Sequence, residues 1–157
     1  MVSRILILCV GNICRSPMAE GLMRKALPEC SIASAGLGAL VGHPADPIAV
    51  DLMREQGVDI SGHRARQLES QLMADADLVL VMELDHQRYL EQQFPLARGK
   101  IFRLCESRNS DIADPYRQGR ASFVEAAMLV SQGVWTWADR IRSMGSNAQR
   151  SNNDRNS

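Results

Sequence analysis

Residues 4 to 16 read RILILCVGNICRS, and the order of residue types along this stretch decides the fold. Ile5, Leu6, Ile7 and Leu8 make a short apolar run of the kind found in a strand buried on both faces. The run leads straight into Cys9 and then into a loop where Gly11 and Asn12 tolerate positive φ. Arg15 closes the loop, and Ser16-Pro17 supplies an N-cap followed by proline at the first helical position. Strand, anion loop and helix start therefore follow one another. A helix beginning near residue 17 aims its free N–H groups and positive dipole end at the loop, which favours both a bound phosphate and a thiolate at Cys9. A cysteine followed six positions later by arginine recurs by chance, so this setting carries the information. A thiolate beside a guanidinium fork suits attack on a tetrahedral phosphate.

The rest of the chain repeats strand and helix. Residues 17–27 place Met18, Leu22, Met23 and Ala26 at helical spacing, and Pro28 closes that helix. SIASAG at 31–36 reads as a second strand, and 47–56 as a helix stopped by Gly57. Residues 67–73 suggest a short helix, 77–83 the strongest buried strand, 83–94 a further helix and 100–105 a fourth strand. A long final helix spans 122–144, with Phe123, Val130, Val134, Trp137 and Ile141 on its apolar stripe. This alternation predicts an α/β fold: one three-layer domain over residues 1–144, with a four-stranded parallel sheet and helices on both faces. In such a sheet, ligands sit at the carboxyl ends of strands, where Cys9 lies. Residues 145–157 are almost entirely polar and are expected to form a flexible tail.

At 157 residues the chain suits a single domain that needs no staples. Its formal net charge of zero gives no long-range attraction to nucleic acid. No stretch approaches a membrane span, so stable membrane insertion is not expected. The cysteines Cys9, Cys14, Cys30 and Cys105 read as free thiols in a reducing, cytoplasmic setting. His43 and His86 have no partner pattern, and no paired Cys/His spacing points to a metal; no cofactor is expected.

Five blocks carry a resemblance: CVGNICRSP at 9–17, SAG at 34–36, PAD at 44–46, ISGHRARQL at 60–68 and DPY at 114–116. They are collinear over residues 4 to 143, and the chain resembles the low-molecular-weight protein tyrosine phosphatases. That resemblance implies the phosphotyrosine protein phosphatase I-like fold and hydrolysis of phosphotyrosine through a cysteinyl-phosphate intermediate. It assigns the nucleophile to Cys9, phosphate binding to Arg15 and general acid catalysis to Asp114. Val10, Gly11, Asn12, Ile13, Cys14 and Ser16 complete the phosphate-binding loop, with Ser34 and His63 in support. Leu40 and Tyr116 wall the substrate site. Leu40 and Val41 stand where eukaryotic members tend to place an aromatic residue, which resembles the bacterial subgroup associated with exopolysaccharide and capsule tyrosine kinases. The partner implied is a tyrosine-phosphorylated protein, a bacterial tyrosine autokinase among the candidates.

Two alternatives stand beside this reading. An arsenate reductase of the same fold needs two further cysteines in a mobile segment after the third strand, and residues 77–93 contain none. A catalytically silent phosphate-binding module would have no use for both Cys9 and Asp114. Cys14, five residues beyond Cys9, either fills the loop interior or forms a reversible disulfide with Cys9. Cys30 and Cys105 read as structural.

Overall fold

Alternate residues of the first strand, β1 (Arg4–Cys9), face opposite layers of the molecule. Ile5, Ile7 and Cys9 join one buried core with Met18, Leu22, Phe123 and Val130. Leu6 and Leu8 join a second with Met73, Val79 and Leu90. In the computed structural model, which describes residues 1–155, β1 pairs in parallel with β2 (Ser31–Gly36) on one side and β3 (Leu78–Val81) on the other. The last strand, β4 (Ile101–Arg103), pairs in parallel with β3, giving the order β2-β1-β3-β4. Helices α1 (Arg15–Ala26), α2 (Pro47–Glu55) and α5 (Arg120–Arg155) supply the first core; α3 (Ser70–Asp75) and α4 (Leu84–Gln93) cover the other face. The expected single-domain, three-layer architecture with a four-stranded parallel sheet is the one observed. No helix among the described residues is long and apolar enough to cross a membrane.

The connection from β1 runs to β2 at one edge, and the chain then crosses back to β3 on the far side of β1. The strand order therefore reverses at the β1/β3 boundary, where an open parallel sheet splays its loops apart and leaves a crevice at the carboxyl ends. Cys9 occupies that end of β1.

Several boundaries depart from the sequence reading, β3 and β4 being shorter than the expected 77–83 and 100–105 and α5 starting at Arg120 instead of 122, and three further departures have an identifiable reason. Helix α1 starts at Arg15, with Cys14 in the N-cap position and no side-chain cap, so Ser16 lies inside the first turn. Pro17 is accommodated there because the first-turn N–H groups have no intrahelical acceptor in any case. Helix α3 begins at Ser70 because residues 66–68 run beside Gly36: the Gly36 N–H donates to the Arg66 carbonyl and the Leu68 N–H to the Gly36 carbonyl, both at 2.9 Å. The amide of Gln67 is also engaged, accepting from the Ala39 N–H and donating to the Leu37 carbonyl.

The third correction concerns the polar tail expected from residue 145. Helix α5 continues through it to Arg155. A helix already docked by Phe123, Val130 and Trp137 extends at little cost per residue, and no proline interrupts it. Ser146, Asn147 and residues 150–155 project no side chain into the core, as their polarity suggested. Residues 156 and 157 of that tail lie outside the described residues.

Candidate active site

The loop after β1 is shaped by where its carbonyls go. The Cys9, Val10 and Gly11 carbonyls accept from the N–H groups of Leu37, Gly38 and Leu40 at 2.9, 3.0 and 3.0 Å. The Asn12 carbonyl is hydrogen-bonded by His63 Nε2 at 2.7 Å, that of Ile13 accepts from the Asp46 N–H at 2.8 Å, and that of Cys14 from the Met18 N–H at 3.3 Å. Among the described residues, no backbone N–H from Val10 to Cys14 has an acceptor. The polarity of the loop is thus sorted: acceptors are spent on the scaffold and donors are left for an anion. Gly36 makes the close approach feasible. A Cβ at that position would lie 2.5 Å from the Val10 carbonyl oxygen.

Asn12 is the keystone of this arrangement. Its φ of 58° is left-handed, which asparagine tolerates better than most residues, and it is fully buried. Its Nδ2 donates to Ser16 Oγ at 2.7 Å and to Ser34 Oγ at 3.0 Å, while its Oδ1 accepts from the Arg66 N–H at 2.9 Å. Because Ser16 Oγ already accepts from Asn12, its own proton is free to donate to Cys9 Sγ, 2.9 Å away. The expected cap therefore becomes a direct hydrogen-bond partner of the sulfur. His63, held on its other side by Glu20 with Nδ1 3.7 Å from the carboxylate, completes the support. Ser34 and His63, expected from the resemblance as loop support, are both hydrogen-bonded to Asn12.

Arg15 is 1% exposed, and a buried guanidinium must be paired. Its Nη1 donates to Glu83 Oε2 and to the Ile112 carbonyl, both at 2.7 Å. Its Nη2 lies 3.8 Å from Asp114 Oδ2. Its Nε is buried with no hydrogen-bond partner. One edge of the fork thus anchors the side chain, and the remaining donors belong to the cavity that Arg15 lines.

That cavity has a volume of about 160 Å³. Cys9, Gly11, Cys14 and Arg15 line it together with Val10, Ile13, Gly38, Leu40, Asp114 and Tyr116. Nearly every residue assigned from the sequence to nucleophile, loop, acid and wall therefore meets in one place. Val41, by contrast, is exposed and is not part of the lining. Asp114 is 45% exposed, and its Oδ1 accepts from the Tyr116 N–H at 3.1 Å. The Asp-Pro sequence thus makes a local turn, and that turn presents the second carboxylate oxygen to Arg15. Burial, reinforced by Asp46 and Cys9, pushes the Cys14 thiol far above its ordinary value. Cys14 is protonated at neutral pH.

With this geometry in place, the chain can be set beside known proteins. The family model for low molecular weight phosphotyrosine protein phosphatase matches residues 4–148. The chain belongs to the low-molecular-weight protein tyrosine phosphatase family. It is 49% identical to the probable low molecular weight protein-tyrosine-phosphatase EpsP of Ralstonia nicotianae, over 92% of this chain and 100% of that one. Wzb of Vibrio vulnificus in complex with benzylphosphonate superposes with a TM-score of 0.86 at 41% identity, covering 89% of this chain and 99% of that one. The arginine phosphatase YwlE of Geobacillus stearothermophilus superposes equally well, with a TM-score of 0.86 at 32% identity over 92% and 96% of the two chains.

Sequence reasoning missed Glu83, the carboxylate that anchors Arg15. As one acid among 18 it carries no local motif. Its position was nevertheless available: Glu83 follows the carboxyl end of β3, the strand beside β1 at the switch point. His86, set aside for want of a partner pattern, has Nε2 3.4 Å from Glu83 Oε2. Burial holds its pKa below the usual histidine value despite the opposing pull of Glu83.

Proposed function

We propose that this phosphatase hydrolyses phosphotyrosine in proteins, with Cys9, Arg15 and Asp114 as its catalytic residues. The observation that carries the assignment is the sorted polarity of the 9–14 loop: its carbonyls are all hydrogen-bonded, no N–H from Val10 to Cys14 has an acceptor among the described residues, and the loop lines, with Arg15, the cavity containing Cys9. In the first step the Cys9 thiolate attacks phosphorus in line with the bridging oxygen. The S–P bond forms as the P–O bond to the tyrosine ring breaks, and the proton of Asp114 passes to the departing phenolate oxygen. Loop N–H groups and the Arg15 fork stabilise the equatorial oxygens as charge spreads over them. Ser16 donates to the sulfur when it leaves again. In the second step the Asp114 carboxylate takes a proton from water, whose oxygen attacks phosphorus and releases inorganic phosphate and the Cys9 thiolate.

The cavity walls bear on the choice of substrate. Ile13 and Leu40 give the cavity apolar walls beside the Tyr116 ring, and such walls suit an uncharged phenyl ring better than the cationic guanidinium of phosphoarginine, whose charge they leave unpaired. The benzylphosphonate in the Vibrio Wzb complex has the same aromatic shape. A long side chain brings phosphorus down to Cys9 more readily than a short one, which favours phosphotyrosine over phosphoserine. By likeness to the EpsP and Wzb proteins, the physiological substrate is a tyrosine-phosphorylated cytoplasmic protein, and a tyrosine autokinase of exopolysaccharide production is the candidate. Phosphate release from matched peptides bearing phosphotyrosine, phosphoserine or phosphoarginine tests the class. A phosphotyrosine preference of at least about a hundredfold is expected; equal or faster release from phosphoarginine would overturn it.

A further inference from the structure

We propose that Arg117 forms a subsite for an anionic group, a carboxylate or a second phosphate, on a residue next to the phosphotyrosine; this rests on the phosphatase reading above. Arg117 occupies the third position of a turn closed by the Gln118 N–H donating to the Pro115 carbonyl at 2.9 Å. Its φ of 60° is left-handed, a conformation that glycine takes freely and arginine does not. An unfavourable backbone conformation retained beside an active site is a reason to ask what the side chain does there.

The side chain lies against a wall residue of the cavity rather than in its lining. Its Cζ lies 5.0 Å from the centroid of the Tyr116 ring, and Tyr116 lines the cavity together with Asp114. Stacking on the ring holds the guanidinium in place while leaving the N–H edges of its fork for an anion. Arg117 is exposed and, among the described residues, is paired with no carboxylate. Arg120, three residues on, instead pairs with Glu55 at 3.7 Å. Both acids on the same loop are committed elsewhere, Asp114 to the Tyr116 N–H and to Arg15, and Asp111 to the Leu84 N–H and to Arg103. When the phosphotyrosine ring lies along Tyr116 with its phosphorus at Cys9, the flanking residues of the substrate chain pass the guanidinium. A small aryl phosphate has no such residues.

Three phosphotyrosine peptides, identical except for asparagine, aspartate or phosphoserine at the flanking positions, test the proposal. In low salt the aspartate peptide should exceed the asparagine peptide in kcat/KM by about three- to fivefold, the upper end of what an exposed ion pair contributes, and the phosphoserine peptide should exceed the asparagine peptide by more. The preference should fade as salt is raised. Arg117→Gln and Arg117→Gly should bring both ratios to about one. The glycine variant fits the turn without strain, so it separates the charge from the backbone conformation. Arg117→Lys should keep part of the preference. An aspartate-to-asparagine ratio of one in the unmodified protein, or a ratio unchanged in Arg117→Gln, would overturn the subsite even with phenyl phosphate still hydrolysed. Failure of the unmodified protein to hydrolyse phenyl phosphate would overturn the phosphatase reading and the subsite with it.

Discussion

Arg15 and Glu83, 68 residues apart in the chain, are joined by a hydrogen-bonded ion pair of 2.7 Å. The pair links the start of α1 to the end of β3 and fixes the guanidinium on the side that the Ile112 carbonyl also holds. Precise aim matters because a transition state gains only from donors already in position.

Glu83→Gln keeps a hydrogen-bond acceptor but removes the charge opposite Arg15. It should lower kcat by about 10- to 100-fold, the usual cost of losing a partner that orients a catalytic group. Steady-state kinetics with an aryl phosphate, alongside circular dichroism to confirm folding, check this. An unchanged kcat would mean that the Ile112 carbonyl alone suffices.

Asp114→Ala should cost about 10²–10⁴ in turnover with a phenolic leaving group of ordinary basicity, since general acid catalysis contributes that much. The loss should shrink as the leaving group becomes more acidic and needs less help from a proton. A penalty independent of leaving-group acidity, measured over a series of substituted aryl phosphates, would assign Asp114 to the turn it makes with Tyr116 and nothing more.

The raised Cys14 thiol predicts a difference between two cysteines that share one cavity. At pH 7 a haloacetamide should leave Cys14 unmodified, because the thiolate is the reactive form and burial disfavours it at Cys14, so that any alkylation falls on Cys9, the proposed nucleophile. Inorganic phosphate should protect. Peptide mapping after partial inactivation checks the site of modification, and Cys14 modified ahead of Cys9 would contradict the assignment.

Asp77 ties the start of β1 to β3: its Oδ2 accepts from the Ser3 and Arg4 N–H groups, both at 2.9 Å, and from the Ser3 hydroxyl at 3.1 Å. The hydrogen bonds from the Ser3 N–H and then the Arg4 N–H hold its carboxyl below the ordinary aspartate value. A carboxylate with a depressed folded-state pKa stabilises above its unfolded value and loses that contribution as pH falls through the folded one. Asp77→Asn should therefore lower Tm at pH 7 by about 2–4 °C, the effect of about 1 kcal/mol in a domain of this size. Thermal melts should show the difference closing toward about pH 2. A constant difference across that range would remove the charge from the explanation.

Residues whose role is set by neighbours in the chain could be read before the fold was known, and those set by neighbours in space could not. The run Ile5–Leu8 is apolar on both faces because both faces are covered, so the strand limits of β1 followed from the residues. Asn12 announced its left-handed conformation by its type. Ser16 misled because Ser-Pro is a helix-start signal and the competing demand, a hydroxyl aimed at Cys9, comes from the closed loop. Glu83 and Arg66 reach the site only once β3 and the 60–68 segment lie beside it. The continuation of α5 beyond Met144 follows from a docked helix upstream, which composition of the tail alone does not report.

The most direct test of the account is to quench the protein in acid during turnover of a phosphotyrosine peptide and examine the peptide containing Cys9 by mass spectrometry. The account predicts a phosphoryl group on Cys9 of the unmodified protein, its accumulation in Asp114→Ala when an acidic leaving group speeds the first step, and no such adduct and no turnover in Cys9→Ser. Phosphate release by Cys9→Ser within tenfold of the unmodified protein, or turnover of the unmodified protein without any phosphocysteine, would contradict it.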